Sequence, residues 1–127
     1  MSAVVLDAGA LIGLERNDRR LWAALKLAAR SGDEVLVPST ALAQVWRGTP
    51  GQALLATALA HCVISPFDAH ARKVGELCGR ARTKDICDAH VALVAAVQAD
   101  AVYTSDPEDI RRLIAACGRR RPTVVTC

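Results

Sequence analysis

Short apolar runs rich in β-branched residues alternate with longer helical patterns along this chain. The runs occupy residues 3–6, 34–38, 62–67, 101–104 and 123–126. Their length and composition predict buried strands, and the apolar spacing between them predicts helices. Strands that alternate with helices indicate an α/β fold, in which right-handed crossovers cover both faces of a parallel sheet.

Capping residues set the predicted starts of several helices. We expect Asp18, Ser39 and Asp68 to be N-caps, because each polar side chain stands immediately before a helical pattern. The pattern over residues 85–98 is apolar on nearly all sides. A helix of that kind is expected to be buried among other elements rather than to lie on the surface.

Length and composition limit the class of protein. A chain of 127 residues is long enough for one domain with its own core, over residues 1–127. No apolar stretch reaches the ~18 residues of a membrane span, and no signal peptide is recognisable, so we expect a soluble, cytoplasmic protein. The five cysteines show no C-x-x-C pairing, which indicates reduced thiols. A net charge of +3 permits nucleic-acid contact without requiring it.

Three aspartates are expected to meet at one edge of the sheet. Asp7 directly follows the first strand, and Asp106 closely follows the fourth. In an open parallel sheet the functional edge lies at the carboxyl ends of the strands. The helix over 85–98 runs antiparallel to the strand that it precedes, so it begins at the same edge. Asp88, in its first turn, therefore joins the other two.

Three carboxylates in one place repel one another unless a cation lies among them. Mg²⁺ and Mn²⁺ prefer oxygen ligands and are held by a few carboxylates together with water and substrate phosphates. A metal held this way can activate water and stabilise the charge that develops on a phosphodiester. We therefore predict Asp7, Asp88 and Asp106 as metal ligands and catalytic residues of metal-dependent phosphodiester hydrolysis.

Helix capping is the alternative explanation for the same aspartates. Asp85 and Asp88 form a D-x-x-D pattern at a helix start, and so do Asp106 and Asp109. In each pair the first residue suits an N-cap and the second favours the helix dipole. Capping is the better interpretation for Asp85, whereas for Asp106 a cap and a ligand role are compatible. Asp7 could also cap the helix that follows it.

Three segments resemble the PIN-domain family, especially the VapC-type toxins of bacterial toxin–antitoxin pairs. They are VVLDAGALIGL at residues 4–14, DAHVALVA at 88–95 and VYTSDPEDI at 102–110. The resemblance implies a three-layer α/β/α domain and a Mg²⁺- or Mn²⁺-dependent endoribonuclease. It assigns the acidic site to Asp7, Asp88 and Asp106, with Asp109 as an accessory residue. Thr104 would support the site by hydrogen bonding.

The same resemblance implies partners and also shows one departure. VapC-like proteins usually dimerise, act on RNA and are neutralised by a VapB-like antitoxin. The family usually places a glutamate in the helix after the second strand, where this chain has Gln44. An amide oxygen can coordinate a metal but adds no charge, so metal affinity should fall. Asp85 is a better substitute than Glu15, which lies roughly 12 Å along its helix from the edge.

Two alternatives to the nuclease remain open at this stage. The chain could be a PIN-like module that binds RNA or an antitoxin but is too weakened at Gln44 to cleave. It could also be a phosphotransfer enzyme with Asp7 as nucleophile, although such enzymes need a second aspartate where this chain has Gly9.

Basic and histidine residues give weaker signals. Arg47 could contact a phosphate or the end of its own helix. The run of Arg119, Arg120 and Arg121 could contact RNA phosphates or form a solvated turn. The histidines, His61, His70 and His90, show no metal-ligand spacing, and we expect them at the surface or the edge of the core.

Overall fold

The structure is a computed structural model that describes residues 2–127. Within those residues the chain forms five strands and seven α-helices. The strands are β1 (Ala3–Leu6), β2 (Glu34–Pro38), β3 (Val63–Ser65), β4 (Ala101–Thr104) and β5 (Thr123–Thr126). The helices are α1 (Ala8–Glu15), α2 (Arg19–Ser31), α3 (Ser39–Val45), α4 (Ala53–Leu59), α5 (Ala71–Ala81), α6 (Ile86–Gln98) and α7 (Pro107–Ala116).

All five strands pair in parallel, in the order β3-β2-β1-β4-β5. Asp7 therefore follows the central strand, β1, and Asp106 follows its neighbour, β4. Helix α2 packs on the sheet face that presents Val4, Leu6 and Tyr103. Helix α6 packs against β1 and β2 and contacts α5 and α7, which form the layer on the opposite face. The predicted three-layer α/β/α class with a central parallel sheet is confirmed.

Helix α6 lies in the core, as its apolar composition predicts. Its eight consecutive residues from Ala89 to Ala96 are all buried. Small alanines alternate with valines and leucine in this stretch, so neighbouring helices and the sheet can approach the helix from several sides. Asp88 stands at the start of this buried segment, which fixes its backbone firmly.

Two of the three predicted N-caps are wrong. Asp18 does cap α2, because its carboxylate accepts hydrogen bonds from the backbone of Arg20 at 2.9 Å and Leu21 at 3.2 Å. Ser39 instead accepts a hydrogen bond of 3.0 Å from the backbone N–H of Phe67, a tertiary contact that occupies its hydroxyl. Asp68 begins a 3₁₀ turn over Asp68–His70, and α5 starts after that turn without a side-chain cap.

His90 is fully buried, so the expectation that it lies at the surface or core edge is wrong. Its Nδ1 forms a hydrogen bond of 2.8 Å with the Thr40 hydroxyl, which links α6 to α3. Its Nε2 has no hydrogen-bond partner among the described residues. Burial, followed by the nearby His70, lowers the pKa of His90 to about 4. The neutral ring therefore joins two helices that both begin at the carboxyl edge of the sheet.

The structure contains neither disulfides nor a long apolar helix among the described residues. All five cysteines are free thiols. Among residues 2–127, no helix is both long and apolar enough to cross a bilayer.

Loss of the Thr40 hydroxyl should destabilise the protein. We expect Thr40→Val to lower the free energy of unfolding by about 1–3 kcal/mol, because both ring nitrogens of the buried His90 would then lack a partner. Thr57→Val is the matched control, since the Thr57 hydroxyl only contacts the Ala53 carbonyl on the exposed face of α4. Urea denaturation of both variants measures the difference. Equal losses would contradict the proposed importance of the Thr40–His90 bond.

Candidate metal centre

Three carboxylates meet at the carboxyl edge of the sheet. Asp88, Asp106 and Asp109 each offer one carboxylate oxygen, and these oxygens all lie within 4.8 Å of one another. Asp88 comes from the first turn of α6, whereas Asp106 and Asp109 come from the start of α7. We call these three residues the acidic cluster. The contact between α6 and α7 brings the residues together across a wide gap in sequence.

Asp7 lies beside the acidic cluster and is buried, with only 4% of its surface exposed. Its Oδ1 accepts a hydrogen bond of 2.9 Å from Ala10 N, so it caps α1, and its Oδ2 accepts one of 3.3 Å from Ser105 N. Burial raises the pKa of Asp7, and hydrogen bonds from Thr104 and from the backbone oppose that rise. Burial raises the pKa of both Asp88 and Asp106, and the charge of Asp7 adds a smaller contribution to each rise.

Thr104 connects Asp7 to Asp106. Its side chain is fully buried at the end of β4. Its Oγ1 accepts a hydrogen bond of 2.9 Å from Asp106 N and also hydrogen bonds the Asp7 carboxylate. Thr104 is thus hydrogen-bonded to two of the predicted site residues, and its role in chemistry stays a prediction.

Asp85 caps α6, as the capping interpretation expects. Its Oδ1 accepts a hydrogen bond of 3.0 Å from Asp88 N. Burial raises the pKa of Asp88 to about 7, and the charge of Asp85 adds to that rise, followed by Asp106 and Asp7. Burial also raises the pKa of Asp106, together with the neighbouring Asp109. The structure therefore concentrates negative charge where each carboxylate disfavours ionisation of the others.

The donor set suits a hard divalent cation. Among residues 2–127, no salt bridge reaches Asp88 or Asp106, and the cluster's one ion pair joins Asp109 to Arg112 at 4.0 Å, where both side chains are about half exposed. An exposed pair at that distance neutralises little charge. Carboxylate oxygens without a protein cation are the ligands that Mg²⁺ and Mn²⁺ take, so the residues present fit such an ion.

Gln44 lies on the exposed side of α3 and lines a groove of about 400 Å³ together with Glu15, Arg16 and Arg47. Glu15 accepts a hydrogen bond of 2.7 Å from Gln52, so its carboxylate has a structural partner. The guanidinium of Arg47 donates to the carbonyls of Ala43 at 3.3 Å and Trp46 at 2.8 Å. That contact agrees with the helix-end interpretation, and a phosphate contact stays a prediction.

The run Arg119–Arg121 lies away from the acidic cluster, so these arginines do not line the predicted site. Arg120 donates to Asp100 at 3.2 Å, and Asp100 contacts the backbone of Ala3 and Thr123. These are the amino ends of β1, β4 and β5. A strand of four residues spans roughly 13 Å, which separates this edge from the carboxylates. The run precedes β5, and the amino ends of parallel strands lie at the edge opposite their carboxyl ends.

Two neighbours of Asp7 were not predicted from the sequence. Ser105 and Gly9 both direct backbone N–H groups at its carboxylate. Backbone donors leave no signature of residue type, so the sequence gives no signal for them. Asp109, expected only as an accessory residue, is a full member of the acidic cluster. Its spacing from Asp106 at a helix start was the available signal.

Comparison with known proteins identifies the fold. No family model and no curated protein sequence matches the chain. A solved structure, the crystal structure of VapBC2 from Rickettsia felis bound to a DNA fragment from their promoter, contains a similar chain. The match has a TM-score of 0.71, 15% sequence identity, and coverage of 98% of this chain and 98% of that chain. The two chains share a fold. At 15% sequence identity, this similarity is evidence for a shared fold and for nothing further.

The raised pKa of Asp88 predicts a pH dependence of stability in metal-free protein. The native carboxyl keeps its proton up to about pH 7, whereas the unfolded one loses it near pH 3.8. Stability from this group is therefore present at low pH and is lost as the pH rises towards 7. We expect Asp88→Asn, measured in EDTA, to raise Tm by roughly 3 °C or more at pH 8 and by much less at pH 5.

Asp33→Asn is the matched control, because Asp33 precedes β2 at the opposite edge of the sheet. It should give the same change in Tm at both pH values. An Asp88→Asn variant that is destabilised at pH 8 would contradict the charge crowding described here.

Proposed function

We propose that this chain is a Mg²⁺- or Mn²⁺-dependent endoribonuclease that acts as a VapC-like toxin and is neutralised by a VapB-like antitoxin. The observation that carries the proposal is the convergence of Asp88, Asp106 and Asp109 within 4.8 Å, beside the buried Asp7. The cluster occupies the carboxyl edge of a parallel sheet, which is where α/β folds bind substrates. We propose a cytoplasmic location, where a toxin that acts on cellular RNA would meet its substrate.

The fold supports the choice of toxin and partner. The solved structure with the shared fold is a VapBC2 assembly on promoter DNA. We therefore propose a VapB-like antitoxin as the protein partner, and the resemblance to VapC-type toxins suggests a homodimer as the working form. A reading frame beside this one that encodes a small DNA-binding protein would supply the antitoxin to test, by co-purification with this chain.

Each residue at the proposed site would have its own role. Asp88, Asp106 and Asp109 would hold the cation, with Asp7 completing the set of carboxylates. A bound cation supplies activation of water and stabilisation of charge on the phosphodiester. Thr104 and the backbone of Ser105 fix the Asp7 carboxylate in one orientation. The Asp85 carboxylate accepts a hydrogen bond from the backbone N–H of Asp88 and so fixes the start of α6. The carboxylate of Asp88 therefore projects from a rigid helix.

Gln44 favours a second candidate, a PIN-like module that binds RNA or an antitoxin without cleaving. Its side chain is exposed on α3 and contributes no negative charge. The pKa of Asp88, raised to about 7, opposes full ionisation at neutral pH. Fewer charges on the ligands mean weaker binding of a divalent cation. This candidate differs from the first in that it predicts no cleavage by the wild-type chain.

Cleavage of a mixed tRNA and rRNA pool tests the proposed function. We expect the purified protein to cut RNA with Mg²⁺ or Mn²⁺ and to be inactive in EDTA. Asp7→Asn, Asp88→Asn and Asp106→Asn should each lower the rate by about 100-fold or more, because a catalytic metal contributes several kcal/mol. Asp33→Asn, the same change at the opposite edge, should cut at the wild-type rate.

Two results would contradict a metal-dependent nuclease with its site at these aspartates. One is cleavage that survives EDTA, and the other is cleavage that persists at the wild-type rate in all three acidic-site variants. A wild type that binds RNA tightly but never cuts it would favour the binding module.

A glutamate at position 44 should strengthen metal binding. We expect Gln44→Glu to lower the dissociation constant for Mn²⁺, because the resemblance to VapC-type toxins assigns a carboxylate to this position and an added negative charge favours a divalent cation. Gln98→Glu is the matched control, since Gln98 is exposed at the far end of α6. Isothermal titration calorimetry compares the two variants. Equal affinities would show that position 44 does not contribute to the site.

A further inference from the structure

Gly9 allows an unusually close approach between two segments of the proposed site. A Cβ atom at position 9 would overlap the hydroxyl of Ser105 and would lie 2.5 Å from Ser105 Cβ and 3.2 Å from Ser105 N. Gly9 does not have a positive φ. The backbone conformation of α1 therefore does not require glycine here, and the requirement comes from space.

The segment that approaches Gly9 carries contacts to two aspartates. The backbone N–H of Ser105 donates to Asp7 Oδ2 at 3.3 Å. The next N–H, of Asp106, donates to the Thr104 hydroxyl at 2.9 Å. A displacement of Ser105 away from α1 would lengthen the first bond and move the start of α7, where Asp106 and Asp109 lie.

We propose that Gly9 is a positioning residue of the acidic site: its missing side chain lets Ser105 lie against α1, within hydrogen-bond reach of Asp7. The link to metal binding rests on the proposed function, whereas the steric claim stands without it. Gly9 acts through Ser105 and touches no substrate.

The Cβ of Ser105, rather than its hydroxyl, is the atom that excludes a side chain at position 9. A hydroxyl can rotate away from a new methyl group, but a Cβ atom is fixed to the backbone. Carbon atoms in contact lie about 3.5–4.0 Å apart, so a methyl group at position 9 requires a shift of about 1 Å. Alanine favours helices over glycine, so propensity alone would make Gly9→Ala stabilising. The steric claim predicts the opposite effect on the site.

The first measurement uses metal-free protein. We expect Gly9→Ala to speed hydrogen exchange of the backbone amide at position 105 by about tenfold, measured by NMR, because its bond to Asp7 is stretched or broken. In a second measurement, Mn²⁺ alone is titrated by calorimetry. We expect Gly9→Ala to weaken its binding by about tenfold, in the range found when a group that orients a ligand is changed.

A second substitution separates the positioning role from general damage. Ser105→Gly removes the Cβ that blocks a side chain at position 9, whereas Ser105→Ala keeps it. Gly9→Ala combined with Ser105→Gly should match the Ser105→Gly single variant to within about twofold in both measurements. Gly9→Ala combined with Ser105→Ala should stay impaired. If Gly9→Ala alone does not fold, restored folding with Ser105→Gly but not with Ser105→Ala is the supporting result.

Gly75→Ala is the matched control, because a Cβ there meets nothing within 4 Å. It should change neither measurement. The proposal is overturned if Gly9→Ala leaves both measurements at their wild-type values, or if Ser105→Ala rescues as well as Ser105→Gly. If the wild type binds no Mn²⁺, the proposed function fails, and the exchange of the amide at position 105 alone decides the steric claim.

Discussion

The buried carboxylate of Asp7 is the contact on which the rest of the site depends. One oxygen caps α1 through Ala10, and the other accepts the N–H of Ser105 from the segment between β4 and α7. Burial of a charged group is costly unless it is hydrogen-bonded. These bonds meet that requirement, and because they join two segments they also fix where Asp106 stands. Asp106 stands at the N-cap position of α7, but its side chain makes no cap hydrogen bond there.

Electrostatic crowding follows from this geometry. Asp88 gains a raised pKa from its burial and from three neighbouring carboxylates. Arg112 forms a salt bridge of 4.0 Å with Asp109 and also donates to the Ala81 carbonyl at 2.7 Å. Within residues 2–127 the fold thus places acidic groups together, and no salt bridge reaches Asp88 or Asp106. Stability is lost for that reason as pH rises, and a divalent cation would restore it by binding the native state.

Topology, more than local pattern, made the site predictable. Asp7, Asp88 and Asp106 follow from the rule that parallel strands present one edge, so the sequence predicts their convergence. Tertiary contacts between residues far apart in the sequence were not predictable. Nothing local shows that the Ser39 hydroxyl would accept a bond from Phe67, that His90 would bond to Thr40, or that Gly9 would lie against Ser105. Charge alone did not show that the arginines at 119–121 lie at the edge opposite the acidic cluster.

Diffraction from a crystal soaked in Mn²⁺ would examine the site most directly, because anomalous scattering locates the ion without any assay of activity. We predict a Mn²⁺ peak bounded by Asp88, Asp106 and Asp109 and adjacent to Asp7, and its loss in a crystal of Asp88→Asn. A soaked crystal with no anomalous peak at these carboxylates, or with the same peak in Asp88→Asn, would contradict a metal site at this edge of the sheet.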